Sequence, residues 1–415
     1  AALSSSSNGD LVPTSENMAE LVAEIDWLMV LYGASDTLYN AIDAGGIDLS
    51  DSFVPEVFYT SDKHEHFGRE IAADILGAGE AGDAVSALSA QEIAQLNEAM
   101  QQDAGFKLTH LLQTLELLYR WPSAHEKPND VHLSYRATPT TLTTKLVEMV
   151  NDIDATEAQS LVTFLTLAPE RVRVLAGRNA LEQDVPIWEH RKRNHRYSIR
   201  PLIPLEDGRL AWGAGATYRA HGIWASSLSG GYPPAELAWP RVDAVALAIK
   251  RRIEKELETR AFAILQRHAT YVLSGVNFKK RFPKEGYDDV GDFDVLAYWP
   301  KNNLWVTVEC NYNKPAYCLK DARRLIDYIF GEQAGEGHVG KVERRHSFLV
   351  ENMDQLRALL KWPDPGSAPL VIKDLYVGPR IFYWMRDPPY PVPLEFVRLG
   401  LLDSWLGSEL KLLDT

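Results

Sequence analysis

Residues 291–320, GDFDVLAYWPKNNLWVTVECNYNKPAYCLK, constrain the fold more than any other part of the chain. From Asp292 to Trp299 the pattern alternates with period two. Phe293, Val295, Ala297 and Trp299 share one face, and Asp292 and Asp294 share the other. Pro300, Lys301, Asn302 and Asn303 are turn formers. Alternation then resumes over 304–311, with Leu304, Val306, Val308 and Cys310 on one side and Trp305, Thr307, Glu309 and Asn311 on the other. The spacing predicts a β-hairpin followed by a helix, with acids at the strand ends opposite the apolar stripe. A buried strand gains nothing from acids there unless a charged partner or a metal meets them.

The hairpin brings Asp294 and Glu309 onto neighbouring antiparallel strands. Two carboxylates held together repel, which raises one pKa unless a cation neutralises them. Hard divalent cations such as Mg²⁺ take oxygen ligands of this kind. Such ions activate water and stabilise the charge that develops on a phosphate during hydrolysis.

Gly291-Asp292-Phe293-Asp294-Val295-Leu296, the intervening hairpin and Val308-Glu309-Cys310-Asn311 together resemble the PD-(D/E)XK nuclease superfamily, the restriction-endonuclease-like fold. The resemblance covers about residues 245–380. It implies that Asp294 and Glu309 bind Mg²⁺ or Mn²⁺ and that the substrate is DNA. Two residues beyond the Glu the family normally places a Lys, which positions or activates the attacking water; this chain has Asn311. Lys314 and Lys320 are the candidate replacements, and loss of catalysis is the remaining alternative. A helix before the first catalytic strand often donates a Glu in this family. Glu258 is the nearest match, with Asp292 as a further auxiliary ligand; an exposed salt bridge is the competing role for Glu258.

Basic residues supply candidate phosphate contacts. The densest run is His190 to Tyr197, holding Arg191, Lys192, Arg193 and Arg196. It leads into a predicted strand at 197–205, a turn at Glu206-Asp207-Gly208 and a return strand at 209–213. Arg251 and Arg252 lie on a long predicted helix over 241–268. Arg323 and Arg324 lie on the helix after the hairpin.

The net charge of −14 argues against nucleic acid only until its distribution is considered. The first 130 residues carry 22 acidic and 5 basic side chains, while the remainder carries 35 and 38. The acidity belongs to the first third, and local patches elsewhere can meet a polyanion. Helical spacing runs through Met18, Leu21, Val22, Ile25, Leu28, Met29 and Tyr32. Further helices are expected near 66–77, 90–102 and 106–120, with Ser89 and Glu92 as a capping box. Two more are expected within 139–166, a short strand at 171–177, a strand at 271–282, a helix over 354–360, a strand at 370–377 and a closing helix at 394–412.

The expected class is thus α/β, of the α+β multi-domain kind. Residues 1–130 form an acidic helical domain offering a surface for a protein partner. Residues 131–240 form a mixed α/β region with the basic hairpin, and 241–415 a restriction-endonuclease-like mixed-sheet domain. No apolar run approaches the length of a membrane span. Two cysteines, Cys310 and Cys318, fit a cytoplasmic protein and make a poor zinc site. The functional expectation is a Mg²⁺-dependent DNA endonuclease, in a setting such as bacterial defence against viruses. The alternative is an inactive nuclease-fold module that binds DNA or a protein.

Overall fold

The computed structural model describes residues 14–40, 42–49, 55–75, 87–121, 133–168, 197–234, 237–313, 319–331 and 336–413. It contains both helices and mixed sheets. Contacts divide the chain into two units. One holds 1–64, 75–78 and 87–250; the other holds 65–74, 79–86 and 251–415. This division runs differently from the expected three domains, because 87–250 cluster together.

In the first unit, helix α1 (Ser15–Tyr39) starts at Thr14, whose hydroxyl accepts from Asn17 N–H. A hairpin of β1 (Gly45–Leu49) and β2 (Pro55–Tyr59) follows, so the amino-terminal part is not wholly helical. Helix α2 (Lys63–Ile75) bridges the division, and α3 (Ala90–Ala104) and α4 (Leu108–Tyr119) come next. The Ser89–Glu92 capping box forms as expected. Strand β3 (Ser134–Ala137), with no counterpart in the sequence expectation, precedes α5 (Pro139–Met149) and α6 (Ala155–Leu165). The basic hairpin is shorter than its sequence implies. Only Ile203–Pro204 (β4) and Leu210–Gly213 (β5) are strand, with β3 pairing on the far side of β5. Pro201 and Pro204 lack the amide a longer ladder needs. Helix α7 (Ala214–Ser229) and the start of α8 (Pro240–His268) complete this unit. The expected strand at 171–177 lies outside the described residues.

The second unit is built on a five-stranded sheet ordered β10-β9-β8-β7-β6. Its strands are β6 (Tyr271–Val276), β7 (Phe293–Trp299), β8 (Leu304–Cys310), β9 (Val371–Gly378) and β10 (Leu394–Arg398). The first three pair antiparallel, and β8-β9 and β9-β10 pair parallel. A parallel step needs a long crossover. Helices α9 (Leu319–Phe330) and α10 (His338–Leu360) provide it between β8 and β9. Helix α11 (Leu402–Leu413) is the last described element.

Three expectations are corrected here. The strand at 271–282 stops at Val276, where Asn277 caps a one-turn helix, Phe278–Arg281. The helix at 354–360 is only the end of α10. The closing helix at 394–412 splits into an edge strand and α11, because Leu394–Arg398 finds a parallel partner in β9.

The sheet is also not apolar on one face and wet on the other. Leu296, Tyr298 and Trp305 share the face of Asp294 and Glu309, and all three are fully buried. They pack in one core with Phe348, Leu349 and Leu356 of α10. On the opposite face Trp299 donates its indole N–H to the carbonyl of His268, the last residue of α8. Both faces are therefore covered, as parallel pairing in a mixed sheet commonly requires.

Candidate functional site

The register of the sheet brings the two carboxylates together. Val295 pairs with Val308, so Asp294 and Glu309, one step further, lie opposite each other on the same face. Glu309 also pairs with Tyr376 of β9. One Asp294 oxygen, Oδ2, accepts the Cys310 amide at 2.7 Å. Glu309 is buried and engaged at both oxygens. Its Oε1 meets His338 Nδ1 at 3.1 Å and the Asn311 amide at 3.2 Å. Its Oε2 accepts from Arg345 Nη1. Arg345 is itself buried, bonds the Val290 carbonyl through Nε at 3.3 Å, and lies 5.8 Å from the Phe293 ring centre. Gly291, at φ +87°, turns the chain beside this guanidinium, in a conformation that disfavours other residues.

The two acids diverge electrostatically. Burial, then the Glu309 charge, then Glu258 push Asp294 up to about 7, only partly opposed by the Cys310 amide and Arg345. Burial also pushes Glu309 up, but His338 and Arg345 outweigh it and hold Glu309 down at about 2. Near neutral pH Glu309 is thus ionised and Asp294 is about half protonated, so the one proton the pair retains sits on Asp294.

His338 has one further feature. Its Nε2 is buried and has no hydrogen-bond partner among the described residues. The ring lies 4.5 Å from Tyr328 and 6.1 Å from Tyr376. The Cys310 thiol is pushed well above its ordinary value by burial, then by Asp294, Glu258 and Glu309. It stays protonated, a poor ligand or nucleophile.

Asp294 and Glu309 fit a hard divalent cation in donor chemistry. Mg²⁺ is commonly held by one or two carboxylates, with waters and substrate phosphate completing its shell. The raised pKa of Asp294 is what a cation would relieve. A larger cage is not built: no three His, Cys, Asp or Glu among the described residues converge as a metal group. Asp292 turns away, accepting from Asn277 at 2.7 Å with Lys280 at 3.6 Å. Glu258 is bonded to Lys255 at 2.8 Å, the salt-bridge alternative of the sequence, although its charge still reaches Asp294.

The other candidate residues scatter. Asn311 sits against Glu309, where its amide donates rather than supplying a cation. Lys314, Arg191, Lys192, Arg193 and Arg196 lie outside the described residues, as do Cys318 and the side chain of Lys320. Arg252 pairs with Glu256 and Arg323 with Asp327, while Arg251 and Arg324 are exposed. Three basic groups were missed by the sequence reading. Lys255 is bonded to Glu258, and the charge of Asp294 also acts on it. His338 and Arg345 share one face of α10 through their seven-residue spacing. Only the basic run Arg344-Arg345-His346 hinted at them.

No membrane-crossing helix is present: among the described residues none is long and apolar enough. No family model, no curated protein and no solved structure matches this chain.

Proposed function

We propose that residues 251–415 form a restriction-endonuclease-like domain that hydrolyses DNA phosphodiesters with Mg²⁺ or Mn²⁺. The observation that carries this reading is Asp294, buried opposite Glu309 and pushed up to about 7 by burial and by that neighbour. Asp294 and Glu309 would hold the ion. When bound, it supplies an activated water and neutralises the charge growing on the phosphate. Arg345 and His338 keep Glu309 ionised and fix its orientation, and the Asn311 amide steadies the same carboxylate. Lys255 is an additional candidate, with Lys314 and Lys320, for the positive charge that Asn311 lacks. The acidic amino-terminal region, in this reading, recruits a protein partner.

A second reading rests on one specific observation. Arg345 and His338 already occupy both oxygens of Glu309, so the site carries its own cation. A nuclease fold in that condition would bind DNA or a protein without cutting.

Metal titration with cleavage assays separates the two. Mn²⁺ should bind the wild-type chain in calorimetry and fail to bind Asp294→Asn, and plasmid DNA should be cut only with the ion. Asn311→Lys should raise the rate by about two orders of magnitude if the charge is missing. If another Lys supplies it, the wild type cuts and Asn311→Lys changes little. Absence of both metal binding and cleavage from wild type and Asn311→Lys leaves the binding module standing and sinks the enzyme.

A further inference from the structure

Helix α9 turns one side to the core and the other to water. Ala322, Leu325 and Ile329 make its buried stripe. On its outer side Arg324 and Tyr328 are exposed. They lie one helical turn apart, with Cβ atoms about 6 Å from each other. Beside them Arg323 and Asp327 pair at 2.9 Å.

Tyr328 is distinguished by what it touches. Among the described residues of the second unit two large aromatics are exposed, Tyr328 at 55% and Tyr390 at 43%. Tyr390 is tied back by its hydroxyl, which donates to the Phe330 carbonyl. Tyr328 rests instead on the candidate site. Its ring centre lies 4.5 Å from that of His338, at 59°. His338 is buried, and its Nδ1 meets Glu309 at 3.1 Å. Burial, then the Glu309 charge, then Glu254 raise the pKa of the Tyr328 hydroxyl, so the field of the site reaches the ring. The hydroxyl stays uncharged and does not repel a polyanion. Nearby acids are answered within the protein: Asp327 by Arg323, and Glu309 by Arg345 and His338.

In duplex DNA neighbouring bases cover both faces of each internal base, and a protein meets only the edges. In a single strand the faces are free, and a base stacks on an aromatic side chain whatever its identity. A positive charge for the backbone and a ring for the base are the two parts that single-strand binders combine.

We propose that Tyr328 stacks on one unpaired base of the DNA while Arg324 meets a phosphate beside it, so that the candidate site takes single-stranded DNA in preference to duplex. The proposal rests on the nuclease reading for its ligand class. It concerns strand state and not sequence, because a stacking ring reads no base edge.

Fluorescence anisotropy of the full chain tests this with labelled oligo-dT of about 12 nucleotides, inside the site size of single-strand binders. EDTA is present, so metal-dependent cleavage does not run. Wild type should bind oligo-dT at least about 10-fold tighter than a blunt duplex of equal length. Tyr328→Ala should weaken oligo-dT binding about 10-fold, within the range for one lost stack. Tyr328→Trp should restore it. Duplex affinity should change less than about twofold in both variants; a merely structural role for Tyr328 would weaken both DNA forms alike. Arg324→Ala should lower the log–log salt slope on oligo-dT by about 0.7, the value for one phosphate of a single strand. Equal affinity for the two DNA forms overturns the proposal, as does oligo-dT binding indifferent to Tyr328→Ala. Absence of oligo-dT binding at about 100 μM, the weak end of non-specific binding, also overturns it. Cleavage is scored separately with Mn²⁺. Duplex cleavage that ignores Tyr328→Ala sinks the stacking role and leaves the nuclease. Tyr328-dependent binding without any cleavage supports the stacking role and sinks the enzyme.

Discussion

Two carboxylates lie two residues apart in register on one face of the second unit's sheet, and α10 meets both with bases. Asp374 of β9 pairs with Thr307, and its oxygens take the Thr307 hydroxyl at 2.5 Å and His346 Nδ1 at 2.5 Å. Glu309 takes His338 and Arg345 in the same manner. Only at Glu309 is there a second acid opposite. Around Asp374 the charge is closed within the protein. Around Glu309 a further proton is held on Asp294, which the proposed cation would displace. A buried acid that is fully partnered points to architecture, whereas a buried acid with a like-charged neighbour points to chemistry.

The largest expected effect comes from removing the guanidinium. Arg345→Ala leaves Glu309 buried beside Asp294 with only His338 and the Asn311 amide to compensate, and should cost about 3 kcal/mol of stability. Urea unfolding at pH 8 measures it; a loss below about 1 kcal/mol would show that Arg345 is not the main counter-charge.

Next comes function. Glu309→Gln and Asp294→Asn should each lower divalent-dependent cleavage at least about 100-fold, near 3 kcal/mol in the barrier. His346→Ala, at the architectural acid, should stay within about threefold of wild type, a difference under 1 kcal/mol. Equal losses in all three erase the distinction between the two acids.

The third prediction uses pH. Asp294 keeps its proton in the fold up to about 7, but its ordinary value is 3.8. Its raised pKa means that the folded state binds the proton more tightly. The stability this gives is fully present at low pH and is lost as pH rises from about 4 to about 7. Glu309 has the opposite sign, its contribution being lost as pH falls through about 2. Asp294→Asn cannot titrate there. It should therefore gain about 4 kcal/mol relative to wild type between pH 4 and pH 8, at about 1.4 kcal/mol for each of roughly three pH units, levelling off above 7. Thermal melts across that range check it, and a constant difference between the two proteins defeats it. Added Mn²⁺ should close the gap by stabilising only the wild type.

The smallest effect belongs to the closed pair. His346→Ala should cost about 1 kcal/mol, because Asp374 keeps Thr307 and His346 is partly exposed. Mn²⁺ affinity should not change; a weaker ion in this variant would mean that the two acids act as one network.

The β7–β8 hairpin was legible from sequence because its determinants are local. Alternation sets the strands, and Asn303, at φ +45°, closes the turn where a turn former was expected. The same holds for the Ser89–Glu92 cap. Even the closeness of Asp294 and Glu309 follows from hairpin register, since period two fixes which residues face each other.

What the sequence could not determine is how those acids are compensated. His338 and Arg345 lie 29 and 36 residues beyond Glu309, on a helix whose placement depends on the whole crossover. Helix packing over the acid-bearing face also buried what alternation marked as a wet side, because Trp305 and Tyr298 find partners in α10. Leu394–Arg398 became a strand through pairing with β9, which outweighs the weak helical spacing of five residues. Periodicity reports which residues share a face. Only tertiary structure decides what covers that face, and hence whether a carboxylate there is neutralised or left to bind.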